Sequence, residues 1–149
     1  MNLKSQLLEL CHQLIDERMA NCRSAIDAAN NSINEETKSS AGDKYETSRE
    51  MITQEIKNVS AQLDEAIRQK QLLTQISIDK KTDTVQSGSL VITNHEKFFI
   101  AISLGALKLS GENFMAVSPS SPIGRNLIGK GKGESFSFNN KNYTVSEIK

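Results

Sequence analysis

The stretch LELCHQLIDERMANCRSAIDAANNSI, residues 8–33, places Leu8, Cys11, Ile15, Met19, Cys22, Ile26, Ala29 and Ile33 at spacings of three or four. That repeat keeps one narrow apolar stripe on one side of an α-helix, whereas a strand would need a period of two. A second stripe runs through Tyr45, Ile52, Ile56, Val59, Leu63, Ala66, Leu73 and Ile76, interrupted by Lys70, and neither stretch contains a proline or an internal glycine. The connection between them, Asn34 to Gly42, is polar and short. Two long helices so joined bury their stripes by packing antiparallel, since neither has another partner nearby in sequence. A helix from Leu3 to Ile33 would be roughly 46 Å long at 1.5 Å per residue, so the expected element is an N-terminal antiparallel coiled-coil hairpin over residues 1–78.

Residues 79–87 break the helical period with Lys, Thr, Asp, Gln and Ser and are expected to form a linker, ended by Gly88. From residue 88 to 149 the period becomes two. Phe98, Ile100, Ile102 and Leu104 alternate with Phe99, Ala101 and Ser103, and similar short runs occur at Ser89–Thr93, Phe114–Val117, Ser135–Phe138 and Tyr143–Ile148. Asn139-Asn140-Lys141-Asn142 suits a hairpin turn, because asparagine tolerates positive φ. One short helix is expected among the strands, with Ser121 as N-cap, Pro122 at its first position and Gly129 just past its end. The fold class is therefore α+β, a coiled-coil hairpin followed by a small mixed β domain.

Composition narrows the function. Eighteen Lys/Arg balance 18 Asp/Glu, so the molecule lacks the bulk positive field of an autonomous DNA binder. Residues 1–78 carry 9 basic and 12 acidic side chains, and residues 79–149 carry 9 and 6. The N-terminus leads into an amphipathic pattern rather than an apolar run ending in small residues, so a secretory signal is not expected. The most apolar segment, Phe98 to Leu107, is too short to span a bilayer. Cys11 and Cys22 would be separated by roughly 16 Å of helical rise, beyond disulfide reach, and read as reduced seam residues of a cytoplasmic protein. His12 and His95 have no His or Cys at ligand spacing, which argues against a zinc site.

The run Val117-Ser-Pro-Ser-Ser-Pro-Ile-Gly-Arg-Asn-Leu-Ile-Gly-Lys-Gly-Lys-Gly-Glu134 resembles the signature of the bacterial Gre transcript cleavage factors. Their core, Ser-Pro-(Leu/Ile)-(Gly/Ala)-Arg-x-Leu-(Ile/Leu)-Gly-Lys followed by x-x-Gly-(Asp/Glu), is met at every defined position from Ser121 to Lys130, with Gly133-Glu134 in register. The order of parts also matches along nearly the whole chain, because that family has a coiled-coil hairpin first and an FKBP-like domain second. The resemblance implies a monomeric transcription elongation factor that docks on RNA polymerase through the second domain and inserts the hairpin into the secondary channel. Ser121, Pro122, Arg125, Lys130 and Lys132 are the expected polymerase-binding residues. Ser121, Pro122 and the apolar members of the run have a second reading, as caps and packing of the short helix itself. Active peptidyl-prolyl isomerisation by the FKBP-like domain is a weaker alternative, since fold does not carry function and no tryptophan exists to floor such a pocket.

Gly42-Asp43-Lys44-Tyr45-Glu46 resembles the Gre tip motif Gly-Asp-x-x-Glu, whose carboxylates help bind a second Mg²⁺ in the polymerase active centre. Asp43 and Glu46 are accordingly the expected tip carboxylates, acting in trans on a shared Mg²⁺ and meeting the RNA 3′ end only within the polymerase complex. On this basis the chain stimulates catalysis by the polymerase and is not an enzyme by itself. No stably bound cofactor is expected. The same Asp-x-x-Glu spacing also makes a capping box at a helix start. Where Gre factors continue with Asn-Ala-Glu-Tyr, this chain has Thr47-Ser48-Arg49-Glu50. A non-cleaving, anti-cleavage channel binder therefore stands beside the cleavage factor.

Overall fold

The computed structural model describes residues 2–39 and 42–149, and the side chains of residues 36–45 lie outside that description. Two long helices come first, α1 over Leu3–Ser39 and α2 over Gly42–Thr74. The connection is shorter than the polar composition of residues 34–42 suggested, because α1 continues through Asn34-Glu35-Glu36. Asn2 caps α1, its Oδ1 accepting from the Ser5 N–H at 2.8 Å. Contacts divide the described chain into two compact units, residues 15–70 and residues 1–14 together with 71–149.

Within residues 15–70 the two helices run antiparallel. The Arg18 guanidinium donates to Gln69 Oε1 at 3.3 Å, and the Lys70 ammonium lies 3.0 Å from Asp16 Oδ1. Lys70, the charge that interrupts the apolar stripe, is thus matched across the seam. Ile15, Cys22, Ala29 and Ala66 are buried, and Met19, Ile26, Ile33, Ile52, Ile56, Val59 and Leu63 are half-buried. Small or partly wetted seam residues are what two helices without a third layer can achieve. Tyr45, expected at the head of the second stripe, falls among the side chains outside the description.

The other unit is built on a six-stranded mixed sheet. Its strands are β1 Leu90–Thr93, β2 Lys97–Ile100, β3 Gly105–Leu109, β4 Glu112–Val117, β5 Ser135–Phe138 and β6 Lys141–Ile148, in the order β3-β4-β2-β1-β6-β5. The pair β2–β4 is parallel and the remaining neighbours are antiparallel. One sequence expectation is corrected here. The alternating run from Phe98 to Leu104 is not one strand, since β2 ends at Ile100, and the chain turns at Gly105, φ +77°, into the unanticipated β3. Ser110-Gly111 and Asn139-Asn140 each take positive φ at both positions, giving the two-residue hairpin turns whose twist matches paired strands.

The central strands are buried on both faces. Phe98 and Ile100 join Val91, Val117, Leu127, Tyr143, Val145 and Ile148 in one cluster, while Phe99, fully buried between Phe98 and Ile100, points the opposite way by strand alternation. Val85, inside the expected linker 79–87, is fully buried in the same cluster. The helix ends contribute buried Leu7, Cys11 and Leu73 to this unit.

Candidate functional site

The signature run folds as a capped turn. The third helix, α3, spans Pro122–Leu127 with Pro122 in its first turn. Ser121, its N-cap, uses its side chain twice: Oγ accepts from the Gly124 N–H at 3.1 Å and donates to the Ser118 carbonyl at 2.7 Å. The Ser121 N–H also reaches Ser118 Oγ at 3.1 Å. The hydroxyl is therefore spent on holding Ser118–Ser121 against the helix. Gly124 is required by close approach, because a Cβ there would stand 1.9 Å from the Ser118 carbonyl oxygen. Leu127 is fully buried and anchors the helix to the sheet core. The helix ends as Gly129 takes φ +83°, which returns the chain so that the Gly129 N–H donates to the Val85 carbonyl at 2.9 Å.

This frame sorts the expected docking residues. Ser121 is half-buried and holds the turn, Pro122 and Arg125 are exposed, Lys130 is half-buried and Lys132 is exposed. Ile128, between them, is 37% exposed, one of three large apolar side chains the described residues leave open to solvent. Sequence reasoning missed what lies alongside. The Val85 N–H donates to the Lys130 carbonyl at 2.9 Å, and Thr84 bridges Gly131 antiparallel, so residues 84–85 run beside residues 129–131. Nothing in the sequence paired Thr84 and Val85 with the end of the signature.

The tip residues lie on α2. Glu46 is exposed and lines a shallow depression of about 540 Å³ with Arg49, Glu50, Thr53, Gln54 and Lys57. Asp43 is in the first turn, but its side chain, like that of Glu36, lies outside the described residues. Among the described residues no group of three or more His, Cys, Asp or Glu is placed to hold a metal ion. A lone carboxylate such as Glu46 offers the hard oxygen that Mg²⁺ takes, but only as one of several ligands.

Burial pushes the Cys11 thiol up to about 12, so it stays protonated and unreactive at neutral pH. Tyr143 is packed by Phe136, stacked at 5.1 Å, and by the edges of His95 and Phe98. Its phenol ionises above its ordinary range, chiefly through burial. Among the described residues no helix is long and apolar enough to cross a membrane.

No protein-family model matches the chain, and no curated protein does. Among solved structures it is similar to that of the transcription factor Gfh1, at 19% identity over 92% of each chain with a TM-score of 0.36.

Proposed function

We propose that this chain is a Gre-type transcription elongation factor, which binds RNA polymerase in its secondary channel and stimulates the polymerase's own cleavage of backtracked RNA. The observation that carries the proposal is the Ser121–Lys130 run, which meets the Gre signature at every defined position. In this fold it forms a buried-anchored turn that leaves Pro122, Arg125 and Lys132 exposed. The antiparallel helix pair preceding the sheet supports it. In this role Asp43 and Glu46 supply carboxylate oxygens to an Mg²⁺ shared with the polymerase. That ion, when bound, activates water and stabilises charge during phosphodiester hydrolysis. The chain's own contribution is to deliver anionic oxygens on a helix end; catalysis belongs to the polymerase.

A second reading, a channel binder that does not promote cleavage, is favoured by one observation. Arg49, which stands where the family has glutamate, shares the depression with Glu46, and a cation there opposes a metal. The test is an RNA cleavage assay on stalled, backtracked polymerase from the source organism. Asp43→Asn and Glu46→Gln should each lower stimulated cleavage by on the order of tenfold or more, since removal of even an outer-shell metal partner has that effect. Polymerase binding and melting temperature should stay nearly unchanged, and raised Mg²⁺ should restore part of the loss by mass action. If the unmodified chain gives no cleavage above the polymerase's own rate at any Mg²⁺ level, yet blocks an authentic cleavage factor, the second reading replaces the first.

A further inference from the structure

The depression around Glu46 is electrically balanced. Residues three and four apart share a face of an α-helix, so Glu46, Glu50 and Gln54 form one row along α2, with Arg49, Thr53 and Lys57 in a second row beside it. All six are exposed. Two carboxylates thus share the depression with two cations, although residues 15–70 as a whole carry 11 acidic against 8 basic side chains. Of the two cations, Arg49 is the one within a helical turn of Glu46, three positions after it.

The same helix shows what a Glu-x-x-Arg pair does. Glu65 and Arg68 have the order and spacing of Glu46 and Arg49, and there the guanidinium forks onto the carboxylate, Nε donating to Oε2 at 2.9 Å and Nη2 donating to Oε1. Both side chains are more than half exposed, so the fork closes in water without a buried frame. It occupies both carboxylate oxygens, and that hydrogen bonding holds the Glu65 carboxyl below its ordinary range. Mg²⁺ takes the same kind of oxygen, so fork and ion compete for one group.

We propose that Arg49 is a latch on Glu46, a guanidinium that closes over the carboxylate and that a divalent cation must displace. The inference rests on the proposed role of Glu46 at a shared Mg²⁺ and deepens it by naming what regulates that carboxylate. A guanidinium keeps its charge throughout the physiological pH range, so the latch answers to metal concentration and not to pH.

The test uses the full chain and stalled, backtracked polymerase from the source organism, with affinity and RNA cleavage each followed over a series of Mg²⁺ concentrations. A shared ion makes binding tighten as Mg²⁺ rises. Arg49→Gln should move the midpoint of that rise, and of cleavage, to roughly threefold to tenfold lower Mg²⁺, the worth of one exposed ion pair plus relief of a like charge. Melting temperature should stay nearly unchanged, because Arg49 is exposed. Arg68→Gln, which opens the Glu65 fork elsewhere on α2, should leave both midpoints in place. A chain that responds to Mg²⁺ only once Arg49 is replaced also supports the latch, closed in the unmodified protein. If the unmodified chain responds to Mg²⁺ but Arg49→Gln leaves the midpoints where they were, or Arg68→Gln moves them as far, the latch is wrong and the proposed function stands. If neither the unmodified chain nor Arg49→Gln shows any Mg²⁺ dependence of binding or cleavage, Glu46 meets no metal and the latch falls together with the cleavage role.

Discussion

The helix pair over residues 15–70 buries Ile15, Cys22, Ala29 and Ala66 among its described side chains, and three of those four are small. The sheet unit buries Phe98, Phe99, Phe114, Leu90, Ile100, Ile102, Leu107 and Leu127. The difference is geometric. Two helices can only shield a stripe from water, whereas a sheet buried on both faces encloses whole side chains with many contacts apiece. Residues 15–70 should therefore open locally at lower free energy than the sheet and exchange their amide hydrogens sooner. The turn around α3 is anchored in that dense core through Leu127.

The largest effect should come from the dense side. Phe99→Ala removes a fully buried ring from the middle of β2 and should cost about 3–5 kcal/mol. Urea unfolding followed by the near-ultraviolet signal of Tyr143, which packs against Phe98 and Phe136, measures it. A loss under about 1 kcal/mol would mean the core collapses around the gap far better than a close-packed interior allows.

Next comes the helix pair. Val59→Pro removes a backbone donor inside α2 and sets the ring against the preceding turn, at a cost of about 3 kcal/mol or more. Far-ultraviolet helicity should fall while the Tyr143 signal survives. Loss of both signals together would break the comparison, because the two units would then unfold as one.

The helices were legible because an apolar repeat of three and four over two dozen residues fits nothing else, and the antiparallel pairing followed from the short connection. Among the described residues the stripe was misplaced at its start: Leu7 is fully buried where Leu8 was expected, and Leu8 is half-buried. The sheet was harder to read. Strand β3, Gly-Ala-Leu-Lys-Leu, carries a glycine and a lysine that hide its alternation, and the unbroken pattern through Ile102 and Leu104 masked the turn before it. The local chemistry of the Ser121–Gly129 cap was readable residue by residue, since each member acts on near neighbours. The pairing of Thr84 with Gly131 was not, because one antiparallel bridge across 47 residues of sequence creates it. Val85 shows the same blindness, as a single valine in a polar stretch gives no periodic signal.

The smallest effect tests the seam itself. Lys70 sits where the heptad calls for an apolar residue, and its side chain is 28% exposed against 57% for its partner Asp16. A pair so placed gains little Coulomb energy in water and loses side-chain freedom, so its net worth is about 0.2–1 kcal/mol. Single substitutions cannot isolate that value, because Lys70→Ala also strips the aliphatic stem from the seam. A double-mutant cycle with Asp16→Ala, Lys70→Ala and both together removes the packing contribution and leaves the coupling. The coupling should fall within that range at low salt and shrink toward zero at high salt, since a charge as exposed as Asp16 is screened. A coupling above about 2 kcal/mol that ignores salt would place the pair in a dry interior, against the half-wetted seam from which the contrast between the two units was drawn.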